Sequence, residues 1–242
     1  MEKIDIKEYL NIVILTGAGI SVASGLRPFR GPNGLWNEVD VLEYATAYAL
    51  RVDPFKVWKF SAVLREQLKT TQPNQAHYSL ARLESNLKSY QCFTLITQNI
   101  DGLHTKAGSK NVIEMHGNVT ITKCTKKRCK LKPFEETDSH LDKLPLCGLC
   151  GSPLRQDIVL FHEDIPMKAQ KEIKSSLRSC NLFIAIGTSG EVYPAAGFVK
   201  TAKSYGANTI LINLESFNSA QTMFDKVFVG KAEELLPHLF SY

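Results

Sequence analysis

No apolar run in the 242 residues approaches the roughly 18 that a membrane-spanning helix needs. No internal repeat, linker or low-complexity tract interrupts the chain, which argues against a solenoid or a disordered tether. Neither sign of charge dominates: 29 Lys and Arg stand against 24 Asp and Glu, a net +5, too little for the field of a nucleic-acid-binding surface. The opening residues, Met1 to Asp5, alternate charge with apolar side chains and lack the hydrophobic stretch of a secretory leader. A reducing, cytoplasmic setting without membrane or nucleic-acid partners is therefore expected. Only six cysteines occur, and four of them cluster with the spacing of ligands rather than of disulfides. What remains, at 44% hydrophobic and 22% charged residues, is a globular protein long enough to bury a full core.

Apolar, β-branched-rich runs recur at Ile12 to Leu15, Phe93 to Ile96, Val112 to Met115, Leu182 to Ile186, Thr209 to Leu214 and Val227 to Val229. Most lack strict alternation, as strands covered on both faces do. Asp53-Pro54 reads as a helix start, with Phe55, Trp58, Ala62 and Leu68 on one face, and Asn74 caps a second helix through Leu80, Leu83 and Leu87. The fold class expected is α/β: a doubly wound parallel sheet, Rossmann-like, over 1–30, 92–119 and 155–242, with a helical insertion at 31–91 and a small insertion at 120–154. That last stretch is rich in lysine, proline and glycine, too poor in apolar residues to build a core, and needs a staple.

The staple is legible. Cys124-x4-Cys129, a gap of seventeen residues, and Cys147-x2-Cys150 offer four thiolates in two pairs, enough to fill the tetrahedral shell of one structural zinc with no position open to water. Lys123, Lys126, Lys127, Arg128, Lys130 and Lys132 crowd the first pair and read as the solvated face of a metal ribbon.

Two strand ends carry the chemistry. Thr16-Gly17-Ala18-Gly19-Ile20-Ser21 follows the first run and Thr97-Gln98-Asn99-Ile100-Asp101 the second, the places where an open parallel sheet binds a nucleotide. Glycine at the first turn lets backbone N–H groups approach a pyrophosphate. The third glycine of the dinucleotide fingerprint is absent, its place taken by Val22. Gly25, Arg27, Phe29, Arg30, Gly31 and Trp36 follow as a glycine-rich loop with two arginines and an aromatic lid, suited to closing over an anionic cofactor.

Taken with Phe29-Arg30, His116-Gly117, the four cysteines, Gly187-Thr188-Ser189, Val192-Tyr193-Pro194-Ala195, Asn213-Leu214-Glu215 and Gly230-Lys231-Ala232, these motifs cover nearly the whole chain. The chain resembles the sirtuins, NAD-dependent protein lysine deacylases, and among them the short bacterial type. The resemblance implies NAD as co-substrate, one structural zinc, and acyl-lysine proteins or peptides as substrates; a monomer is expected. In that family the acyl carbonyl oxygen displaces nicotinamide from the ribose, and a histidine general base then lets the 2′-oxygen attack the resulting imidate. Lysine and O-acyl-ADP-ribose are the products. His116 matches the base, and an unperturbed pKa of about 6.5 leaves it able to accept a proton; the remaining histidines, His77, His104, His140, His162 and His238, read as structural.

By the same resemblance Asn99 joins His116 in catalysis, orienting a ribose hydroxyl or water, and Gln98, Ile100 and Asp101 line the nicotinamide and ribose pocket. Phe29 screens the ribose, Trp36 belongs to the closing loop, and Arg30 meets the phosphates with the N–H groups of Gly17, Ala18, Gly19 and Ser21. Gly187, Thr188, Ser189, Asn213, Leu214, Glu215 and Ala232 would hold the adenosine half. Val159, Phe161 and His162, with Glu191, Val192 and Tyr193, resemble the two edges that clamp the substrate peptide as an added strand.

Relatives that remove succinyl or malonyl groups carry tyrosine and, three residues on, arginine in the first inserted helix. The matching positions are Ser61 and Leu64, which favours acetyl or longer apolar acyl groups. The match rests on Gln67-Leu68; moved by one residue, it would bring Arg65 into that role. Arg27-Pro28 and Gly102 depart from the family's usual residues in the cofactor loops, and His162 stands where glycine is usual. Two other readings compete: NAD hydrolysis or ADP-ribosyl transfer through the same nicotinamide cleavage, and a zinc-ribbon adaptor that would leave both nucleotide motifs unexplained.

Overall fold

The computed structural model describes residues 3–28, 34, 40–190, 192–216 and 220–241. Phe29, Arg30, Trp36 and Glu191, expected at the site, lie outside the described residues. In chain order the strands and helices are β1 (Ile4–Asp5), β2 (Asn11–Thr16), α1 (Val41–Tyr44), α2 (Ala47–Val52), α3 (Pro54–Leu68), α4 (Gln75–Asn86), β3 (Cys92–Thr97), α5 (Leu103–Lys106), β4 (Val112–Glu114), β5 (Gly117–Cys124), β6 (Phe134–Glu135), β7 (Leu154–Ile158), α6 (Met167–Ser179), β8 (Leu182–Ile186), α7 (Phe198–Ser204), β9 (Asn208–Asn213), α8 (Ala220–Met223), β10 (Lys226–Val229), α9 (Ala232–Leu239) and β11 (Phe240–Ser241).

All six expected strand runs join one parallel sheet in the order β10-β9-β8-β2-β3-β4. Its residues are apolar on both faces because both are covered. Ile12, Ile14, Leu95 and Ile184 pack with Ala76, Leu80 and Leu83 of α4 and with Leu236 and Leu239 of α9. Val13, Leu15, Phe183 and Ala185 pack with Ile173 and Leu177 of α6 and with Val199 and Ala202 of α7. The chain winds outward from β2 through β3 to β4 and, on the other side, from β8 through β9 to β10. The order reverses between β2 and β8, and the crevice at their carboxyl ends is the place for a ligand. No described helix is long and apolar enough to cross a membrane.

Both expected helix starts form. Asp53 accepts from the Lys56 amide ahead of Pro54, and Asn74 accepts from the Ala76 amide. Although α4 lies inside the expected helical insertion, its apolar face belongs to the main core. The small antiparallel sheet β6-β5-β7 pairs Gly117 with Ile158 and Cys124 with Leu154. It therefore begins immediately after His116 and spans more than the cysteine-bearing stretch.

Candidate active site

A cleft of about 1830 Å³ opens at the switch point. Single small-molecule pockets hold roughly 300–1,000 Å³, so there is room for a dinucleotide and a second substrate together. Of the expected residues, Gly17, Ala18, Gly19, Gln98, Asn99, Ile100, His116, Gly187, Thr188, Ser189, Asn213, Leu214, Glu215 and Ala232 line it, as do Ser61, Leu64, Val159, Phe161, His162, Val192 and Tyr193. Ser21 and Asp101 are not among its lining residues and lie behind the wall, 2% and 9% exposed.

The glycines at the first turn have a nearer reason than phosphate approach. A Cβ on Gly17 would stand 2.7 Å from the Gly187 carbonyl oxygen, and one on Gly19 would stand 2.8 Å from the Gly187 Cα. Gly187 itself has φ +59, and its Cβ would meet the Ile20 nitrogen at 2.6 Å. The turns after β2 and β8 thus cross in backbone contact that only glycine permits. The first turn continues into a 3-10 helix, Ala18–Ser24. Its amides are mostly engaged: Gly17 N donates to Ile186 O, Gly19 N to Gly187 O and Ile20 N to Gly17 O. Of the amides at the start of the turn, Ala18 is the one not so engaged among the described residues, which narrows the donor set expected for an anion.

His116 follows β4 and Met115. Its Nδ1 lies 2.9 Å from the Gln98 carbonyl oxygen, which can only accept, so Nδ1 carries the hydrogen and Nε2 holds the lone pair. Burial pulls its pKa below the ordinary value, although the Gln98 bond opposes this. The result is a neutral imidazole able to take a proton. Gln98 also donates from Nε2 to Thr188 Oγ1 at 3.0 Å, joining the ends of β3 and β8. Asn99, 4% exposed, donates to Gly17 O and Ser21 Oγ, each at 3.1 Å. Both amide hydrogens are thereby committed, and its Oδ1 is what it can offer a ligand.

Behind this wall runs a buried polar chain. The Asn74 amide donates to His77 Nδ1 at 3.3 Å, His77 Nε2 faces Ser21 Oγ at 3.5 Å, and Ser21 donates to Asp101 Oδ2 at 2.7 Å. Asp101 Oδ1 accepts from the Leu103 amide at 2.9 Å. Burial raises the Asp101 pKa against these bonds. His104 stacks near His77 with ring centroids 4.8 Å apart and bonds Thr16 Oγ1 at 2.9 Å. Two histidines read as structural from sequence are therefore buried together beneath the turn. Nothing in their local sequence separates them from ordinary core histidines.

The far wall is α3. Phe60, Ser61, Val63, Leu64 and Gln67 line the cleft with Ala45, Ile158, Val159, Leu160 and Phe161. Arg65 points elsewhere: 1% exposed, it donates to Val119 O, Thr122 Oγ1 and Asp138 O. Arg65 therefore faces away from the cleft that Ser61 and Leu64 line. Ile158, Leu160 and Ala45 were not singled out from sequence, because apolar lining cannot be told from core by pattern alone.

The edge expected to clamp a peptide is partly closed. Phe161 N donates to Ala45 O and Ala47 N donates to Phe161 O, Val159 N donates to His116 O, and Leu160 N donates to Glu163. The His162 amide and the carbonyls of Val159 and His162 are left without such partners among the described residues. Arg155 grips Glu163 at 2.6 and 3.0 Å and Ile158 O at 2.7 Å, fixing this segment. His162 has φ +65, in the left-handed region that glycine adopts more readily than histidine.

The four cysteines converge as expected. Cys124 Sγ is 3.5 Å from Cys150 Sγ, Cys129 Sγ is 3.6 Å from Cys147 Sγ, and all four lie within 4.8 Å of one another. Tetrahedral zinc at about 2.3 Å from each sulfur sets the sulfurs about 3.8 Å apart, so the donor set fits. The amides of Lys126 and Leu131 point at Cys124 and Cys129 Sγ.

The family model described as Sir2 family matches residues 17–194. The chain is 44% identical over 231 residues to an NAD-dependent protein deacylase of Pasteurella multocida (strain Pm70), covering 95% of this chain and 96% of the relative. It superposes with TM-score 0.88 on a Sir2 homologue in complex with ADP-ribose, at 38% identity over 96% of this chain and 90% of the other. It also superposes with TM-score 0.81 on a Sir2–p53 peptide–NAD+ complex, at 32% identity over 96% and 92% of the two chains. A family model matched over residues 17–194 and relatives 40% or more identical over almost the whole chain show that the chain belongs to the Sir2, or sirtuin, family.

Proposed function

We propose that the protein is an NAD-dependent protein lysine deacylase that transfers the acyl group of a modified lysine to ADP-ribose and releases nicotinamide. The observation that carries this is His116: an imidazole whose Nδ1–H is held by Gln98 and whose pKa is lowered by burial, on the wall of a cleft that also contains the nucleotide turns. Such a group accepts a proton from a sugar hydroxyl at neutral pH. NAD, when bound, supplies the ribose carbon and the leaving group. Asn99 offers Oδ1 to a ribose hydroxyl or water, and Ala18 N and the loop that includes Phe29, Arg30 and Trp36 serve the phosphates and ribose. Thr188, Ser189, Asn213, Leu214, Glu215 and Ala232 take the adenosine half. Ser21 and Asp101 act from behind, through the Asn99 amide and the loop that follows it.

The acyl-lysine enters between α3 and the Val159 to His162 segment, with Val192 and Tyr193 opposite. Leu64 and Ser61 at the wall favour acetyl or longer apolar acyl groups, since a carboxylate buried against leucine is costly. The proposed division sets the cofactor domain in 1–30, 92–119 and 155–242, the helical insertion in 31–91 with its α4 packed into the core of the cofactor domain, and the zinc-binding insertion in 120–154 on a sheet that begins at Gly117. The proposal includes a monomer acting in the cytoplasm, on the sequence grounds given above.

Incubation with NAD and an acetyl-lysine peptide, with products identified by mass, tests the reading. O-acetyl-ADP-ribose is expected. ADP-ribose formed without peptide would replace the reading with NAD hydrolysis, and no nicotinamide release would replace it with an adaptor.

A further inference from the structure

The two faces of α3 do different things. Phe60, Ser61, Leu64 and Gln67 line the cleft, while Trp58, Ala62, Arg65 and Glu66 turn to the cysteine-bearing insertion. Trp58 and Ala62 pack with Cys147 and Leu154, Trp58 Nε1 donates to Ser139 O at 2.8 Å, and Ser139 Oγ donates to Glu66 at 2.7 Å. Arg65 lies at the centre of that face. Its Nε and Nη2 donate to Val119 O at 3.0 and 2.6 Å, Nη2 to Thr122 Oγ1 at 2.9 Å, and Nη1 to Asp138 O at 3.1 Å. The guanidinium sits 5.1 Å from the Trp58 ring centroid.

A cation at 1% exposure is a poor way to gain stability alone, because an apolar side chain of similar volume often serves as well or better. Burial pulls its pKa down to about 10, with Glu136 and Asp138 opposing. What guanidinium adds is direction, a rigid planar fork of donors. Its anchor is informative: the Val119 amide donates to Ile100 O at 2.9 Å, so one residue joins the Gln98 to Asp101 segment on one side and α3 on the other. Val119 and Thr122 belong to β5, which starts one residue after His116.

We propose that Arg65 is a positioning residue for the acyl-lysine: it holds the cleft face of α3 at a fixed distance from His116 by fastening the opposite face to the strand that leaves His116. The inference rests on the deacylase reading. It assigns Arg65 to peptide binding and leaves the turns at Gly17 to Ser21 and Gly187 to Ser189 outside its influence, since the fork reaches only the Gln98 to Asp101 segment, through Val119.

The test uses the full chain as Arg65→Met and Arg65→Lys, with peptide kinetics at saturating NAD and NAD affinity measured separately by calorimetry. In folded Arg65→Met the KM for an acetyl-lysine peptide should rise about tenfold or more, as loss of uniform binding to a displaced wall does. The kcat should change less and the NAD Kd should stay within about twofold of the unmodified chain. Arg65→Lys, keeping one charged donor, should fall between the two. An unchanged peptide KM, or a loss of NAD affinity in step with peptide affinity, would overturn the inference. Should Arg65→Met not fold, Thr122→Val removes one bond of the fork and keeps the packing; a raised peptide KM with constant NAD Kd supports the role, and an unchanged KM overturns it. Absence of peptide turnover by the unmodified chain would instead overturn the deacylase reading, and this inference with it.

Discussion

His116 and Gln98 are joined by a 2.9 Å bond from the imidazole Nδ1–H to the main-chain carbonyl, and the Gln98 side chain reaches on to Thr188 Oγ1 at 3.0 Å. One residue therefore sets the tautomer of the proposed base and ties the end of β3 to the end of β8, across the end of β2. The imidazole enters the cleft already neutral and already oriented, which is what a general base requires before substrate arrives.

His116→Ala should lower deacylation by about 10²–10⁴-fold, the range of a lost general base, while the melting temperature changes little. In the unmodified enzyme the acidic limb of kcat/KM should lie below pH of about 6.5, because burial lowers the His116 pKa. A limb centred above the ordinary histidine value would contradict a neutral, buried base.

His77 predicts how stability responds to acid. Its pKa is lowered to about 4 by burial, whereas in the unfolded chain it titrates at about 6.5. Between these values the unfolded state binds more protons, so stability falls as the pH drops from about 6.5 to about 4 and is fully present above. The difference corresponds to roughly 3 kcal/mol at the acid end, with His104, also shifted down by burial and by its neighbour His77, adding in the same direction. Thermal melts across that window should show the loss, and His77→Gln should flatten it. Equal slopes in both proteins would remove His77 as the source.

The four thiolates should hold one zinc per chain, read by elemental analysis. Cys147 is 3% exposed and packs with Trp58, Ala62 and Leu154, so Cys147→Ser should unfold the insertion and lower the melting temperature, as chelation should. An unchanged melt with zinc lost would show that the metal is not structural.

Leu64→Arg places a guanidinium on the cleft wall. A panel of acetyl, decanoyl and succinyl peptides should show apolar acyl groups ahead of succinyl in the unmodified enzyme. In the variant the succinyl-to-acetyl ratio of kcat/KM should rise about tenfold or more, the scale of a charge-assisted bond of roughly 1.5–3 kcal/mol. A ratio that does not move would mean that position 64 does not meet the acyl chain.

Much of this was legible before folding was considered. Runs such as Ile12 to Leu15 and Leu182 to Ile186 carry their own length and β-branching, Asp53-Pro54 and Asn74 carry their own capping chemistry, and the four cysteines carry their own ligand spacing. Each is a local pattern, and each holds in the structure. Whether Leu64 or Arg65 meets the substrate is different in kind. Adjacent helix positions differ by about 100°, and only the packing of α3 between the cleft and β5 says which one turns inward.

The amino-acid sequence by itself determined the strands, the caps, the paired cysteines and the two strand-end turns, because those depend on interactions among near neighbours in the chain. Tertiary structure alone decided that Gly17 and Gly19 are needed to pass Gly187, that the Phe161 edge is already paired to Ala45 and Ala47, and that Ser21 and Asp101 stand behind the wall. These are contacts between segments far apart in sequence, and no local periodicity encodes which carbonyl will face which amide once the sheet has closed.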